Sequence, residues 1–267
     1  MAPMTDALPD PLVPAAAYDE AYYLQACMGY EEWNGDPGAP ILGTYIYALR
    51  RGGLRAGEVL VDIGTGRGEL LALAVQSGVA RAIGLEYSEA AVALAHRTLD
   101  AQGVSAEVLL ADARAVPLPD AVADLVTLLD VVEHLAGDEL ARALLEARRI
   151  LRPGGRLLVH TFPNRLVYDV TYRLMRLTAP GRRRRWPADP RGELERAMHV
   201  NEQTRGSLRR ALRTAGFAGV KVGFGELIHD AIIPETDAGA RTLLHRLAAH
   251  RPTRPLGRAD LWASAVA

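Results

Sequence analysis

The chain has 267 residues, of which 49% are apolar and 24% charged, with a formal net charge of −1. That balance fits an ordinary globular chain and gives no global electrostatic ground for binding nucleic acid. The single cysteine, Cys27, excludes an internal disulfide framework and fits a reducing compartment, and no apolar run reaches a membrane-spanning length. This length suits one large domain, or a domain with a small cap.

Met1 to Pro14 carries four prolines, Asp6 and Asp10 but no basic residue, so it does not read as a secretory signal. A cytoplasmic protein with a frayed N-terminal tail is expected. Tyr18, Tyr22, Tyr23, Tyr30 and Trp33 then crowd one short stretch, with Tyr18 and Tyr22 on one face of a helix. Two readings are open: a helix packed on the main domain, or a lid whose tyrosines touch a ligand. A second helix, Ile41 to Arg51, carries Ile41, Tyr45 and Leu49 at helical spacing and ends at Gly52 and Gly53.

Alternation of strands and helices begins at Glu58. Val59, Leu60, Val61 and Ile63 make a short run rich in β-branched residues, which reads as a buried strand. Gly64, Gly66 and Gly68 follow, then a helix from Glu69 to Ser77 with Gly78 as its cap. The glycines permit a tight turn and close approach of a ligand, and the helix start suits an anionic group. The dinucleotide fingerprint wants a third glycine or alanine five residues after the first, but Glu69 stands there, and no phosphate-loop lysine follows. Arg81 to Glu86 is a second strand. Glu86, about twenty residues past the turn, is placed to receive the hydroxyls of a ribose. Ser88 caps a helix over Glu89–Gln102, and Ala106 to Leu110 is a third strand leading into Asp112 and Ala113.

A Pro-Leu-Pro-Asp turn at 117–120 precedes a fourth strand, Ala123 to Leu129, which ends in Asp130, Glu133, His134 and Leu135. Helix Asp138–Leu151, the turn Pro153-Gly154-Gly155 and a fifth strand, Arg156–Thr161, complete the alternation. In this order, from about residue 56 to 163, the motifs resemble those of class I S-adenosylmethionine (SAM) dependent methyltransferases. They look most like the small-molecule group that includes ubiquinone-pathway O-methyltransferases. The resemblance implies an α/β fold with a Rossmann-like seven-stranded sheet, mostly parallel, whose seventh strand is antiparallel. It also implies a helical N-terminal cap over residues 1–55 and a catalytic domain over 56–267, with an inserted cap at 165–198.

SAM is the cofactor that the resemblance implies. Its site would comprise Asp62, Gly64, Thr65, Gly66, Gly68, Glu86, Tyr87, Asp112, Ala113 and Asp130. The glycines would hold the methionine part, Glu86 the ribose, Asp112 and Ala113 the adenine, and Asp130 would lie near the ammonium. Methyl transfer is an in-line displacement, so positioning supplies much of the acceleration. His134, on the ligand edge with an ordinary pKa near neutrality, is the candidate base for an acceptor that must lose a proton. Asp130, Glu133 and His134 resemble the acid-two-residues-Glu-His arrangement that binds a divalent ion in related O-methyltransferases, with His160 and His199 available beside it. The ligand set is incomplete, so no metal is assigned.

Beyond Phe162-Pro163-Asn164, Leu166, Val167, Val170, Leu174 and Leu177 recur at helical spacing. Nine arginines face four acids between residues 165 and 198, and four of them, Arg182 to Arg185, are consecutive. A solvated basic turn, a phosphate site, an anionic lipid surface and RNA all remain open readings. A helix from Arg205 to Ala215, a sixth strand, Phe217–Leu227, a helix from Ala238 to His250 and a last strand, Leu261–Val266, follow. The expected activity is methyl transfer to a small molecule, at a hydroxyl oxygen. The alternatives are an RNA 2′-O-methyltransferase, against which the overall charge argues, and an enzyme working at a membrane surface through residues 165–186.

Overall fold

Burial on two faces explains why the run after Glu58 is a strand. In β1 (Val59–Ile63), Leu60 faces one layer of helices while Val61 and Ile63 face the other, and all three are buried. Strands of that kind belong inside parallel sheets. The computed structural model describes residues 8–27, 29–178 and 181–267. In it β2 (Arg81–Glu86) and β4 (Ala123–Leu129) flank β1 in parallel. β3 (Glu107–Leu110) extends the sheet on one side and β5 (Leu151–Thr161) on the other. β7 (Leu261–Val266) runs antiparallel to both β5 and β6 (Ala218–Phe224), so the order is β3-β2-β1-β4-β5-β7-β6. This is the expected seven-stranded sheet with its reversed last strand.

Two strand limits differ from expectation by three residues or more, for local reasons. β5 starts at Leu151 because that residue already pairs with Ala123, ahead of the turn at Gly154 (φ 79°). β6 ends at Phe224 because the next groups turn to Asp260: Gly225 N–H donates to its carbonyl and Leu227 N–H to its carboxylate.

Among the described residues three α-helices precede the sheet: α1 (Glu20–Gln25), α2 (Tyr30–Gly35) and α3 (Gly43–Gly52). α4 (Glu69–Gln76), α5 (Glu89–Ala101) and α6 (Gly137–Ile150) connect the strands. The insert carries α7 (Arg173–Thr178), α8 (Arg182–Arg185) and α9 (Glu193–Met198), and α10 (Arg205–Thr214) and α11 (Ala238–Ala249) flank β6. α3 and α4 set Ala48, Leu49, Leu70 and Leu71 on Leu60, Leu125 and Leu158. On the opposite face Leu140 and Leu144 of α6 and Leu208 and Leu212 of α10 share one core with Val61, Ile63, Leu157 and Val222 of the sheet. Ser88 caps α5 as expected, its hydroxyl accepting from Ala91 N–H at 3.3 Å.

The N-terminal aromatic stretch packs on the main domain, and part of it faces the cavity. Trp33 packs with Ala91 and Leu94 of α5, and its indole N–H donates to Thr98 at 2.7 Å. Tyr18, Tyr22 and Tyr23 line the central cavity. Met1 to Ala7 of the expected tail lie outside the described residues. From Pro9 onward the chain is tied down: Arg114 donates to Pro9 carbonyl and Leu12 N–H donates to Glu139.

Residues 165–198 do not form a cap alone. A π-helical turn, Val167–Tyr172, leads into α7. Val167, Tyr168, Tyr172, Met175 and Trp186 share a small core with Ile232, Ile233, Ala240 and Leu244. Two stretches, one on either side of β6, therefore share this core.

Candidate active site

The carboxyl ends of β1, β2, β4 and β5 open onto one cavity of about 640 Å³. In a parallel sheet that edge is where ligands bind. Asp62, Gly64, Thr65, Gly66, Glu86, Tyr87, Asp112, Ala113, Asp130 and His134, all expected from sequence, line it together. Gly68 is the exception: it serves as the left-handed N-cap of α4 (φ 82°) and lies against Ala95.

The glycine turn is held by Glu86. Gly66 N–H donates to its Oε2 at 2.8 Å, while Oε1 receives Tyr87 N–H at 2.7 Å, Ser88 N–H at 3.2 Å and the Tyr23 hydroxyl at 3.4 Å. Burial raises the carboxyl above its ordinary value, and the backbone donors offset part of that. Oε2 keeps a lone pair, as a ribose hydroxyl would need. Asp62 is likewise buried and accepts from Thr127 at 2.6 Å; burial pushes it up to about 7. Gly66 (φ 55°) would direct a Cβ into open space, with only the Tyr23 ring at 3.8 Å, so this part of the turn is shaped for something other than a protein side chain.

Three partners were not visible in the sequence pattern. Arg114 lies across Asp112 with Nη2–Oδ2 at 2.7 Å, and also reaches Glu139. The Asp112 carboxylate at the proposed adenine end is thus already engaged by an arginine two residues away. Arg67 is buried beside Glu69 at 2.8 Å and donates to Tyr23 carbonyl at 2.7 Å, which ties the glycine turn to α1. Asp130 has a left-handed backbone (φ 55°), and its Oδ1 lies 2.8 Å from His160 Nδ1. Burial opposes charge on His160, while the Asp130 side chain is open to the cavity; their mutual attraction holds Asp130 below its ordinary range and raises His160 to about 10. Asp260 sits on the other imidazole nitrogen at 3.4 Å. His160 is thus a lasting cation between two carboxylates.

The other end of the cavity is different in character. Phe162, Leu194, Met198 and Leu227 line it with His134, His199, His229 and Glu195, whose carboxylate accepts from Tyr168. His134 Nδ1 lies 3.2 Å from Met198 carbonyl, so Nδ1 carries the hydrogen and Nε2 presents a lone pair. Its ring stands edge-on to Tyr18 and to His199, at 5.7 and 4.9 Å between centroids. Burial and then the neighbouring His199 lower His134 to about 3, and burial lowers His199 to about 4. Both imidazoles are therefore neutral near pH 7.

These neutral rings make stability depend on pH. Both folded pKa values lie below the unfolded value near 6.5, so the unfolded chain takes up protons first as pH falls. Stability contributed by the two neutral rings should be complete above pH 6.5 and decline between 6.5 and about 4. Urea midpoints at pH 7 and pH 5 test this. The wild type should lose stability over the interval, and the His134→Phe/His199→Phe double variant should lose markedly less; equal losses would contradict the assignment.

Glu133, His134 and His199 bring ligand atoms within 4.8 Å of one another. The fit to a divalent ion is poor. Glu133 is buried, its oxygens already accept from Thr161 at 2.8 Å and Phe162 N–H at 3.3 Å, and burial followed by the Asp130 charge pushes it up to about 8. Asp130, the other acid of the expected set, turns to His160 instead. No catalytic step is routed through a metal.

A seven-stranded sheet in this order, with a glycine turn, a buried acid ending β2 and a cavity at its carboxyl edge, defines a Rossmann-like methyltransferase fold. The family model for the methyltransferase domain matches residues 61–159. The ubiquinone/menaquinone biosynthesis C-methyltransferase UbiE of Paraburkholderia phytofirmans is 31% identical over 185 residues, 66% of this chain and 74% of that protein. The chain belongs to the class I SAM-dependent methyltransferases. A demethylmenaquinone methyltransferase of Thermus thermophilus is 37% identical over 110 residues, and the match spans about half of that relative, 49%. Among solved structures, a methyltransferase in complex with the Trm112 activator of Haloferax volcanii superposes with a TM-score of 0.61 at 21% identity, covering 98% of this chain and 99% of that one. Among the described residues no helix is long and apolar enough to cross a membrane.

Proposed function

We propose that this protein transfers the methyl group of SAM to a neutral, largely apolar small molecule bearing a hydroxyl group. One observation carries the reading: a single cavity has the cofactor motif at one end and, at the other, Phe162, Leu194, Met198 and Leu227 among neutral imidazoles. SAM supplies a methyl group on a positively charged sulfur. The chain's own residues supply position and exclusion of water: the Gly64–Gly66 turn and Glu86 hold the donor, and Tyr18, Tyr22 and Tyr23 cover it from α1 and the segment before it. His134 Nε2 is the proposed acceptor of the proton released by the substrate, although burial makes it a weaker base than the near-neutral imidazole expected from sequence.

A phenolic acceptor can be methylated on oxygen, or on a ring carbon next to the oxygen once the proton is removed. Oxygen is the site proposed here; the UbiE relative is by name a C-methyltransferase. The test is incubation with methyl-labelled SAM and a panel of phenols and quinols, with product NMR to place the methyl group. A labelled apolar product is expected, and label appearing only in added RNA would overturn the reading. His134→Ala should lower turnover by about 10²–10⁴-fold with unchanged affinity for S-adenosylhomocysteine. Unchanged turnover would remove His134 as the base.

A second reading, action at a membrane surface, is supported by the outer side of the insert. Leu174 and Leu177 are 55% and 61% exposed. Next to them Arg183, Arg184 and Arg185 are exposed. Apolar and cationic groups side by side suit the surface of an anionic bilayer. Sedimentation with phosphatidylglycerol vesicles should carry the wild type down and leave Leu174→Ser/Leu177→Ser in solution; no pelleting of the wild type would dispose of this reading.

A further inference from the structure

His229 was not singled out by any sequence motif, yet it lines the apolar end of the cavity, with its ring 5.0 Å from Phe162. Its Nδ1 lies 2.9 Å from the Tyr168 hydroxyl, and the same hydroxyl donates to Glu195 Oε1 at 2.8 Å. A phenol has one proton, and a carboxylate can only accept. With that proton committed to Glu195, the hydrogen between Tyr168 and His229 must belong to the imidazole Nδ1. Tyr168 is buried in the small core of the insert, with Arg191 stacked 4.7 Å from its ring, so this arrangement is held from behind. Burial also keeps the Tyr168 phenol protonated, and it lowers His229 against the opposing charge of Asp230. The result is a neutral ring whose free nitrogen, Nε2, carries a lone pair at the cavity wall. Among the described residues no other side chain bonds to it.

We propose that His229 Nε2 is a fixed hydrogen-bond acceptor for a neutral donor, a hydroxyl or an N–H, on the methyl acceptor. Tyr168 is the positioning residue that fixes its tautomer through Glu195. This deepens the methyltransferase reading and rests on it. It assigns a specificity rule: apolar molecules with a donor group are selected over the same molecules without one. A lone pair in an apolar surrounding also repels an anionic group, so carboxylated or phosphorylated versions are rejected.

The probes are 2-naphthol, which has a donor, and 2-methoxynaphthalene, which lacks it. Each is titrated into the chain saturated with S-adenosylhomocysteine. The wild type should prefer 2-naphthol by about 10-fold or more, the effect of one buried hydrogen bond. His229→Phe should bind both equally. Nitrogen-15 NMR should show His229 Nε2 unprotonated in the wild type, and a mixture of tautomers in Tyr168→Phe, a change that a merely structural role for Tyr168 would not produce. Equal binding of the two probes by the wild type, no binding of either, a preference surviving His229→Phe, or an Nε2–H tautomer would each overturn the proposal. The initial titration with S-adenosylhomocysteine reports the cofactor site independently, so its failure is distinguishable from failure at His229.

Discussion

Gly66→Val should reduce affinity for SAM by at least about 100-fold, roughly 2.7 kcal/mol, while the chain still folds. The two halves of that expectation have separate causes. Gly66 has φ 55°, the left-handed region. A side chain there costs about 1–2 kcal/mol, which a domain stable by about 5–15 kcal/mol can absorb. No protein atom stands closer to the added Cβ than the Tyr23 ring at 3.8 Å, so packing is spared. The isopropyl group instead fills the space beside Glu86 and disturbs the N–H that Gly66 directs at it. Gly64 makes a useful contrast. A Cβ at that position would run into the Val131 side chain, so substitution there should lower stability as well as binding. Calorimetry and thermal melts on both variants check this; wild-type affinity in Gly66→Val would contradict the site.

His160→Leu should destabilise the fold by about 1–3 kcal/mol, the cost of leaving the buried Asp260 carboxylate one partner short. Without the imidazolium, Asp260 stays buried with no cation beside it, whereas the Asp130 side chain is open to the cavity. Trp262 Nε1–H and Leu227 N–H still bond to Asp260, so the loss is partial. The pH signature follows from the raised pKa. Stability from this cation is fully present below the unfolded value near 6.5 and lost as pH rises through about 10. Chemical denaturation of wild type and variant at pH 6 and pH 10 should show the gap shrinking at the higher pH. A gap that is small at pH 6, or that does not shrink, would show that His160 is not charged in the fold.

The sheet was legible in the sequence because its central strands are apolar on both faces and separated by glycine turns and capped helices, as with Ser88. The cofactor edge was legible for a related reason: Gly64, Gly66 and Glu86 sit at fixed positions on consecutive strand ends, so chain order alone brings them together. What escaped depends on contacts between distant segments. His160 meets Asp260 only because β5 and β7 lie side by side in antiparallel register, with His160 opposite Trp262. Asp130 was expected near the ammonium of the donor; its tie to His160 arises from a left-handed turn that an aspartate gives no clear sign of adopting. Arg114 was close enough to Asp112 to be noticed, but a lone arginine after a strand carries no pattern. His229 and the second half of the insert's small core lie in a stretch without periodicity, and only the packing of Ile232, Ile233 and Leu244 on the insert brings them to the cavity.

The central claim, a SAM site built on the turn after β1, is tested most directly by a crystal structure of the chain with S-adenosylhomocysteine. The homocysteine should lie over Gly64 and Gly66 with its ribose at Glu86 and its adenine beside Asp112 and Ala113, leaving the sulfur directed toward His134 and Phe162. A chain that binds no S-adenosylhomocysteine, or binds it away from this cavity, would contradict the account.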